Sequence, residues 1–524
     1  MPRAERRQTS RMVRHWQEGG GLVNGSDSKT EEASATDVRQ APYPSWDEIP
    51  WGKVEAHVSK LQTRIARATR EGRVEEARKA QRILVASLDA KLIAVRTVTS
   101  NKGKKTAGVD GQLWSTPESK VNAALRLGAR GYKAKPLRRV RIPKKGKKGA
   151  TRPLGIPTMY DRAMQALHAL ALDPVAEATA DRNSFGFRKG RSAQDASQRL
   201  FLLTARRDSP NYVLEGDIKG CFDHISHEWL LANVPMDKKV LAQFLRAGFM
   251  EQGEWHETDE GTPQGGIISP ILANMALDGM EDVLEGRFAL GPSGRRSNGK
   301  ASAHKVHLVR YADDFVVTAA TPEVAREAQS LIEGFLAERG LELSREKTLI
   351  THIDKGFDFL GWNFRKFRGK LIVQPSKKSI DSFVREMHRC ILRASGDMSQ
   401  EDLIRMLSPK IRGFANYHRH VCASVTFHEI DHIIYIQLRR WARRKHPKKR
   451  KRWIYRKYWF RKGGDGYMFG SEKCYLPHLS WQHIVRHTAL KTDMNPYLDQ
   501  DYFAARKRAL RKRYARSFHM PVAD

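Results

Sequence analysis

The stretch HLVRYADDFVVTA, residues 307–319, constrains the fold more than any other part of the chain. Val306 and Leu308 on one side, and Phe315, Val316 and Val317 on the other, are β-prone residues flanking Tyr311-Ala312-Asp313-Asp314. The pattern predicts two strands of a hairpin with the YADD segment at its turn. Adjacent carboxylates repel, and a hairpin tip tolerates them best where cations neutralise the charge. Taken alone, an Asp-rich surface turn accounts for the segment equally well.

A second segment shifts the balance. YVLEGDIKGCFDHI, residues 212–225, is a short apolar strand ending on Asp217. If that strand end meets the hairpin tip, Asp217 and Asp313, with Asp314 nearby, form a cage for two Mg2+ ions, which favour hard oxygen ligands. Two such ions about 3.5–4 Å apart clamp the attacking and leaving oxygens of an in-line phosphoryl transfer. One activates a primer 3′-hydroxyl and the other neutralises a triphosphate, which is polymerase chemistry.

The bulk charge agrees with this. Among 524 residues there are 94 Lys and Arg against 58 Asp and Glu, a net of +36, and nucleic acid leads the partners of such a field. Ten Lys or Arg and no acid lie between Lys133 and Arg152, in two β-prone segments around a Gly/Lys loop. Arg138 and Arg139 in this run are expected to grip phosphate. A second run, 437–462, carries fourteen Lys or Arg and no acid. Its Arg439, Arg440, Arg443, Arg444, Lys448, Lys449 and Arg450 alternate with Trp441, Trp453, Tyr455, Tyr458 and Trp459, a mixture suited to base stacking beside phosphate contact.

No apolar run approaches the roughly 20 residues of a membrane span. The basic N-terminus lacks the apolar core of a secretory signal. Four scattered cysteines make no C-x-x-C pair. The expectation is a cytoplasmic protein without disulfides or structural zinc. Residues 1–44 read as a flexible polar arm. Val54, Val58, Leu61 and Ile65 recur at helical spacing, and Glu71-Gly72 marks a turn into a second helix. Residues 100–111 and 290–305 read as loops, and the pattern turns helical from 376.

Several ordered blocks resemble the reverse transcriptases encoded by bacterial group II introns. NKGKKTAGVDG is similar to their N-terminal extension motif, RRVRIPKKGKKGATRPLGIPT to the fingers hairpin, and DRAMQALHALALDPVAEATADRNSFGFRKGRSAQDA to the next fingers block. EGDIKGCFDHI, GTPQGGIISPILANMALD, RYADDFVVTA, GLELSREKT and FDFLGWNF then follow in palm order. The resemblance runs from about residue 50 to 515. It implies an α+β right-hand polymerase: N-terminal extension and fingers over 45–210, an antiparallel-sheet palm over 211–375, a helical thumb and maturase domain over 376–450, and a basic DNA-binding region over 451–524. It further implies an RNA-directed DNA polymerase and maturase that binds its group II intron RNA in a ribonucleoprotein particle. Such a protein assists splicing and copies the intron from dNTPs into cDNA at a target DNA during retrohoming. Many relatives continue into an HNH endonuclease; none is read before Asp524, so another primer source is expected.

The resemblance also assigns roles. Asp217, Asp313 and Asp314 hold the metals, with the backbone carbonyl of Ile218 as a further ligand. Phe222 is the aromatic gate beneath the sugar that excludes a 2′-hydroxyl. Gln264 lies against the templating pair, Lys144 and Arg152 hold triphosphate oxygens, and Lys347 gives the pyrophosphate its proton. FLGW, 359–362, is the primer grip. Ser269 and Pro270 read as N-cap and N1 of a helix carrying Leu272, Met275 and Met280.

Rival readings are weaker. HEIDH, 428–432, matches a zinc-hydrolase pattern, but Phe427, Ile430, Ile433, Ile434 and Leu438 form the opposite, apolar face of that helix, Asp431 is an awkward charge for a buried metalloprotease helix, and no third ligand is apparent. A host-adapted polymerase without an intron would not need the maturase-like segment. A non-catalytic splicing cofactor would not need the carboxylates, and an RNA-dependent RNA polymerase would not need Phe222.

Overall fold

The computed structural model describes residues 43, 45–143, 149, 151–263, 265–394, 397–461, 463 and 466–515. The N-terminal arm, apart from Tyr43, and both Lys144 and Gln264 lie outside the described residues.

The periodic run after Trp51 forms α1 (Trp51–Arg70), with Val54, Val58 and Ile65 buried along one face. Gly72 takes φ 76 at the turn, a conformation glycine adopts without steric penalty. Helices α2 (Val74–Ala86), α3 (Leu88–Ser100) and α4 (Pro117–Arg126) follow. The loop expected over 100–111 includes a single 3-10 turn at Lys102–Lys105. Strands β1 (Leu137–Pro143) and β2 (Thr151–Ile156) form the fingers hairpin, running in register from Arg138↔Ile156 to Pro143↔Thr151. The first three helices pack on α5 (Met159–Thr179), which is apolar and buried almost all round.

After α6 (Ala193–Thr204) come β3 (Tyr212–Asp217) and the short helices α7 (Cys221–His224), α8 (His227–Asn233) and α9 (Lys238–Leu245). Strands β4 (Phe249–Glu251) and β5 (Glu254–His256) extend the fingers sheet to the order β2-β1-β4-β5. Next are α10 (Ser269–Leu277), α11 (Met280–Phe288) and α12 (Asn298–His304). The structure corrects two expectations in this region. Ser269 is the first residue of its helix rather than the N-cap, which is Ile268, because its hydroxyl donates to the Pro263 carbonyl, and the helix stops at Leu277, because Gly279 at φ 98 breaks it and Met280 starts α11. The segment 290–305 is not all loop: Ser297 accepts from the Lys300 N–H and caps α12.

The palm sheet joins β6 (His307–Tyr311), β7 (Asp314–Ala319) and β8 (Leu349–His352) to β3 in the antiparallel order β6-β7-β3-β8, with α13 (Pro322–Ala337) packed against it. Leu308, Leu214, Phe315 and Val317 enter one core, and Val309, Val213 and Val316 enter the other. Burial on both faces is why these strands read as continuous apolar runs rather than alternating ones.

A three-stranded sheet of β9 (Phe357–Phe359), β10 (Trp362–Phe367) and β11 (Lys370–Pro375) leads into α14 (Lys377–Arg393), α15 (Gln400–His418), α16 (Ser424–Lys445) and α17 (Lys451–Tyr458). The helical run is then interrupted by a hairpin, β12 (Trp459–Arg461) with β13 (Tyr467–Phe469), before α18 (Gln500–Ala515). The last segment folds back on the fingers. Asp195 at the start of α6 lies 2.8 Å from His487 Nε2 and also pairs with Arg506, and the Tyr497 hydroxyl donates to Asp173.

Candidate active site

Three carboxylates converge at one end of the palm sheet because of strand register. Asp217 ends β3 directly opposite Asp314, the first residue of β7. Tyr311 pairs with Asp314, so Ala312 and Asp313 alone make the hairpin turn, with Ala312 at φ 58. The expected tip is present, and Asp217 faces it.

The electrostatics follow from that crowding. Burial, then the charges of Asp313 and Asp217, push the Asp314 carboxyl up to about 6. Burial chiefly, with Asp217 adding to it, also raises Asp313. Lys347 offsets part of the repulsion: its Nζ donates to Asp217 Oδ2 at 2.7 Å, and that bond raises the lysine in turn. The turn bearing Lys347 is anchored to the same residue, since the Ser344 N–H donates to the Asp217 carbonyl at 2.8 Å. Ile218 bridges Leu343 through flanking bonds that do not use its own carbonyl. A cavity of about 640 Å3 opens here, lined by Asp217, Asp314, Lys347, Leu360, Lys378 and Phe383 among others.

This donor set fits a hard divalent cation. It consists of carboxylate oxygens held closer together than their charges favour, a strain that a cation relieves. Among the described residues no three such side chains come close enough to hold an ion by themselves. A cation there would complete its shell with water and substrate phosphate, as Mg2+ commonly does.

The residues that brace the turn were missed by sequence reading. Arg310, in the middle of β6, has no solvent exposure. Its Nη2 lies 2.5 Å from Asp278 Oδ1, and its Nη1 donates to Asn274 Oδ1 at 3.1 Å and reaches the Ala312 carbonyl at 3.4 Å. Asp181, buried beside Asp278, accepts from the Gly279 and Glu281 N–H groups, and burial with Asp278 and Glu281 holds its carboxyl well above the usual range. Residues 183–185 add an outer strand-like contact: the Phe185 N–H donates to the Arg310 carbonyl at 2.8 Å, and the Arg310 N–H to the Asn183 carbonyl at 2.9 Å. The one available signal was a charge inside an otherwise apolar strand.

Gly186 then passes so close to the turn that an added Cβ would stand 2.3 Å from the Ala312 nitrogen. Gly186→Ala is therefore expected to displace the carboxylates and lower polymerase activity by about a hundredfold or more, since misplacement of about 1 Å has that effect. Steady-state primer extension, with a melting curve to confirm folding, checks this.

Other predicted residues divide into three groups. Some lie near the site. Phe222 on α7 is half-buried and meets Phe187 edge to face, ring centroids 6.1 Å apart. Its carbonyl accepts from the Thr262 N–H at 2.6 Å, tying the TPQGG segment to the helix after Asp217. Arg152 sits on β2 opposite Ile142, and its charge reaches Asp313. Some are engaged within the protein. Arg138 Nε donates to the Ala107 carbonyl at 3.1 Å, Arg139 stacks over Phe249 at 3.2 Å, and Trp362 of FLGW is fully buried and stacked on Tyr417 at 4.6 Å. Gly265 makes its close approach to the Gly155 carbonyl on β2.

The third group is the basic tract. Arg439, Arg440, Arg443, Arg444, Lys448, Lys449 and Arg450 are all exposed. Its aromatics are mostly not stacking platforms: Trp441, Tyr458 and Trp459 are at most 5% exposed, because they form the core between α16, α17 and the β12–β13 hairpin. Trp453 is 39% exposed, with Lys449 and Lys457 near its ring. In HEIDH, His428 contacts the Ser424 carbonyl, and Asp431 accepts from the Leu479 and Ser480 N–H groups, so its charge caps a turn rather than serving a metal.

An antiparallel sheet presenting three carboxylates beside a fingers hairpin and a helical thumb is the palm of a right-hand nucleic-acid polymerase. Comparison with known proteins specifies it further. Residues 142–364 match the family model "Reverse transcriptase (RNA-dependent DNA polymerase)", 46–127 its N-terminal domain, and 380–459 the group II intron maturase-specific domain. Protein YkfC of Escherichia coli (strain K12) is 32% identical over 311 residues, covering 53% of this chain and 80% of that protein. The group II intron-encoded protein LtrA of Lactococcus lactis is 28% identical over 437 residues, covering 66% and 71%. A telomerase from Candida albicans, solved with a fragment of telomeric RNA, aligns at 13% identity over 62% of this chain and 64% of that chain, with a TM-score of 0.35, a likeness too loose to inform the function. The chain belongs to the group II intron-encoded reverse transcriptases with a maturase domain, a family of metal-dependent RNA-directed DNA polymerases. No helix among the described residues is long and apolar enough to cross a membrane.

Proposed function

We propose that this protein binds its group II intron RNA, assists its splicing, and copies it into DNA at a target site from a primer 3′-hydroxyl and dNTPs. The register that sets Asp217 opposite Asp314, with Asp313 at the tip between strands, carries this reading. Asp217, Asp313 and Asp314, with the Ile218 carbonyl, would hold two Mg2+ ions. When bound, such ions lower the pKa of the attacking hydroxyl and neutralise charge on the triphosphate. Lys347 neutralises Asp217 in the free protein and would turn to the pyrophosphate as a proton donor once substrate enters. Arg152, and Lys144 and Gln264 in the adjoining segments, would hold the triphosphate and the templating pair. The exposed cations from Arg439 to Arg450 would grip RNA or target DNA in a ribonucleoprotein particle. Each phosphate they neutralise should steepen the log–log salt dependence by roughly 0.7–0.9.

Phe222 would sit beneath the sugar, so Phe222→Ala should admit rNTPs about 10- to 100-fold more readily relative to dNTPs. The test is primer extension on an RNA template, with dNTPs or rNTPs, for the native chain and Phe222→Ala. The native protein should make DNA and discriminate strongly against rNTPs. Absence of DNA synthesis by the native protein would overturn the polymerase reading; unchanged discrimination in the variant would remove Phe222 from it.

A further inference from the structure

A second cavity, of about 710 Å3, lies between α2, α5, the 128–130 loop and the turn joining α8 to α9, and it shares no lining residue with the palm cavity. Its size is ordinary for a small-molecule site. Among its described lining residues, five are Lys or Arg and two are acids. Both acids are engaged: Glu75 pairs with Arg78 at 2.6 Å, and Asp237 caps α9 by accepting from the Lys239 and Val240 N–H groups. Arg82 and Arg130 are exposed at the rim, while Val85, Ala171 and Met236 supply apolar wall. His168 also lines the cavity at 5% exposure, and its Nε2 has no hydrogen-bond partner among the described residues. A buried polar atom without a partner is costly to a fold unless something arrives to use it.

We propose that this cavity binds a nucleotide, its base against Val85, Ala171 and Met236 with one edge on His168 Nε2, and its phosphate on Arg82, Arg130 and Lys91. The two halves of that ligand match the two halves of the cavity. Burial drives the His168 imidazole down to about 4, so at neutral pH the ring is uncharged and its Nε2 serves a base edge as donor or acceptor. Burial also lowers the ammonium of Lys91, and burial with Arg78 lowers Lys238 to about 8. Cations crowded and desolvated in this way are stabilised by an incoming anion. The nucleotide is either free in solution or turned out of a bound RNA strand; the chemistry is the same.

The test is photolabelling of the full chain with 8-azidoadenosine 5′-monophosphate, and separately with a short single-stranded RNA carrying one 8-azidoadenosine, followed by peptide mapping. Saturable label is expected on peptides spanning residues 75–91, 128–130, 168–171 or 232–238. Arg82→Glu and His168→Phe should each reduce it about tenfold, the loss expected for one charged or buried hydrogen bond. Labelling by the free nucleotide identifies a mononucleotide site, and labelling by the RNA alone identifies a turned-out residue of bound RNA. No label in these peptides from either probe, or label unchanged in both variants, overturns the proposal. Arg82 is exposed, so its variant tests the site even if His168→Phe fails to fold. Primer extension, measured on the same samples, should stay within about twofold of native; its absence in the native protein would sink the polymerase reading while leaving a labelled cavity standing.

Discussion

Asp313→Asn is expected to lower primer extension by at least about a thousandfold, the scale on which charge stabilisation by a catalytic metal acts, while the protein folds as well as before or better. The reason is burial, added to by the crowding of like charges. Burial chiefly raises both Asp313 and Asp314 above the ordinary carboxylate range, with Asp217 adding to the first and Asp313 and Asp217 to the second. A carboxyl whose folded pKa exceeds its unfolded value of about 3.9 opposes folding once it ionises. For Asp314, at about 6 in the folded protein, that opposition is absent below about pH 4, grows as pH rises to about 6, and is constant above. Asp314→Asn should therefore gain stability at pH 8, of order 1 kcal/mol after allowance for the openness of the cleft to solvent. The gain should vanish as pH falls through 6 towards 4. Denaturant midpoints at pH 4.5 and 8 check the sign. A variant that loses stability at pH 8 would mean the three carboxylates are not in mutual repulsion.

Arg310→Leu should have the largest effect on stability of any single change in the palm. Removing one partner of a buried ion pair leaves an uncompensated charge and typically costs about 3–5 kcal/mol. Here it strands Asp278, which meets Arg310 at 2.5 Å, with buried Asp181 close by. It also removes the contact with the Ala312 carbonyl, so activity should fall with stability. Arg310→Lys should recover only part of the loss, because one ammonium cannot reproduce the forked contacts to Asp278 and Asn274. Arg310→Leu combined with Asp278→Leu should be more stable than Arg310→Leu alone, since removing both charges leaves neither unpaired. Urea denaturation of the soluble variants measures all three. Equal midpoints for Arg310→Leu and the native chain would contradict the bracing role.

Much of this was legible in the sequence because the determining signals are local. A β-prone run ending on Asp217, and another starting at Asp314, are enough to bring two strand ends to one sheet edge, and register did the rest. What escaped was non-local. Nothing local to β6 gave Arg310 a role, since its partner Asp278 belongs to the turn between α10 and α11. The aromatics of the basic tract misled for a different reason. Counting them among cations ignored the helical face on which they fall: Ile434, Leu438 and Trp441 share the buried stripe of α16, while Arg439, Arg440, Arg443 and Arg444 take the outer face. The helix over 298–304 was hidden by Gly, Ser and Asn, which favour turns but also supply its cap.

The proposed protein carries two separable activities in one chain, DNA synthesis in the palm and support of splicing through RNA binding. The experiment that separates them compares the native protein with Asp313→Ala/Asp314→Ala, recovering the RNA that copurifies and following both its splicing and cDNA synthesis on an RNA template. Intron RNA retained and spliced with both proteins, with cDNA made only by the native one, is the predicted result. Loss of splicing together with synthesis in a folded double variant, or cDNA synthesis that survives without the two aspartates, would contradict this division of labour.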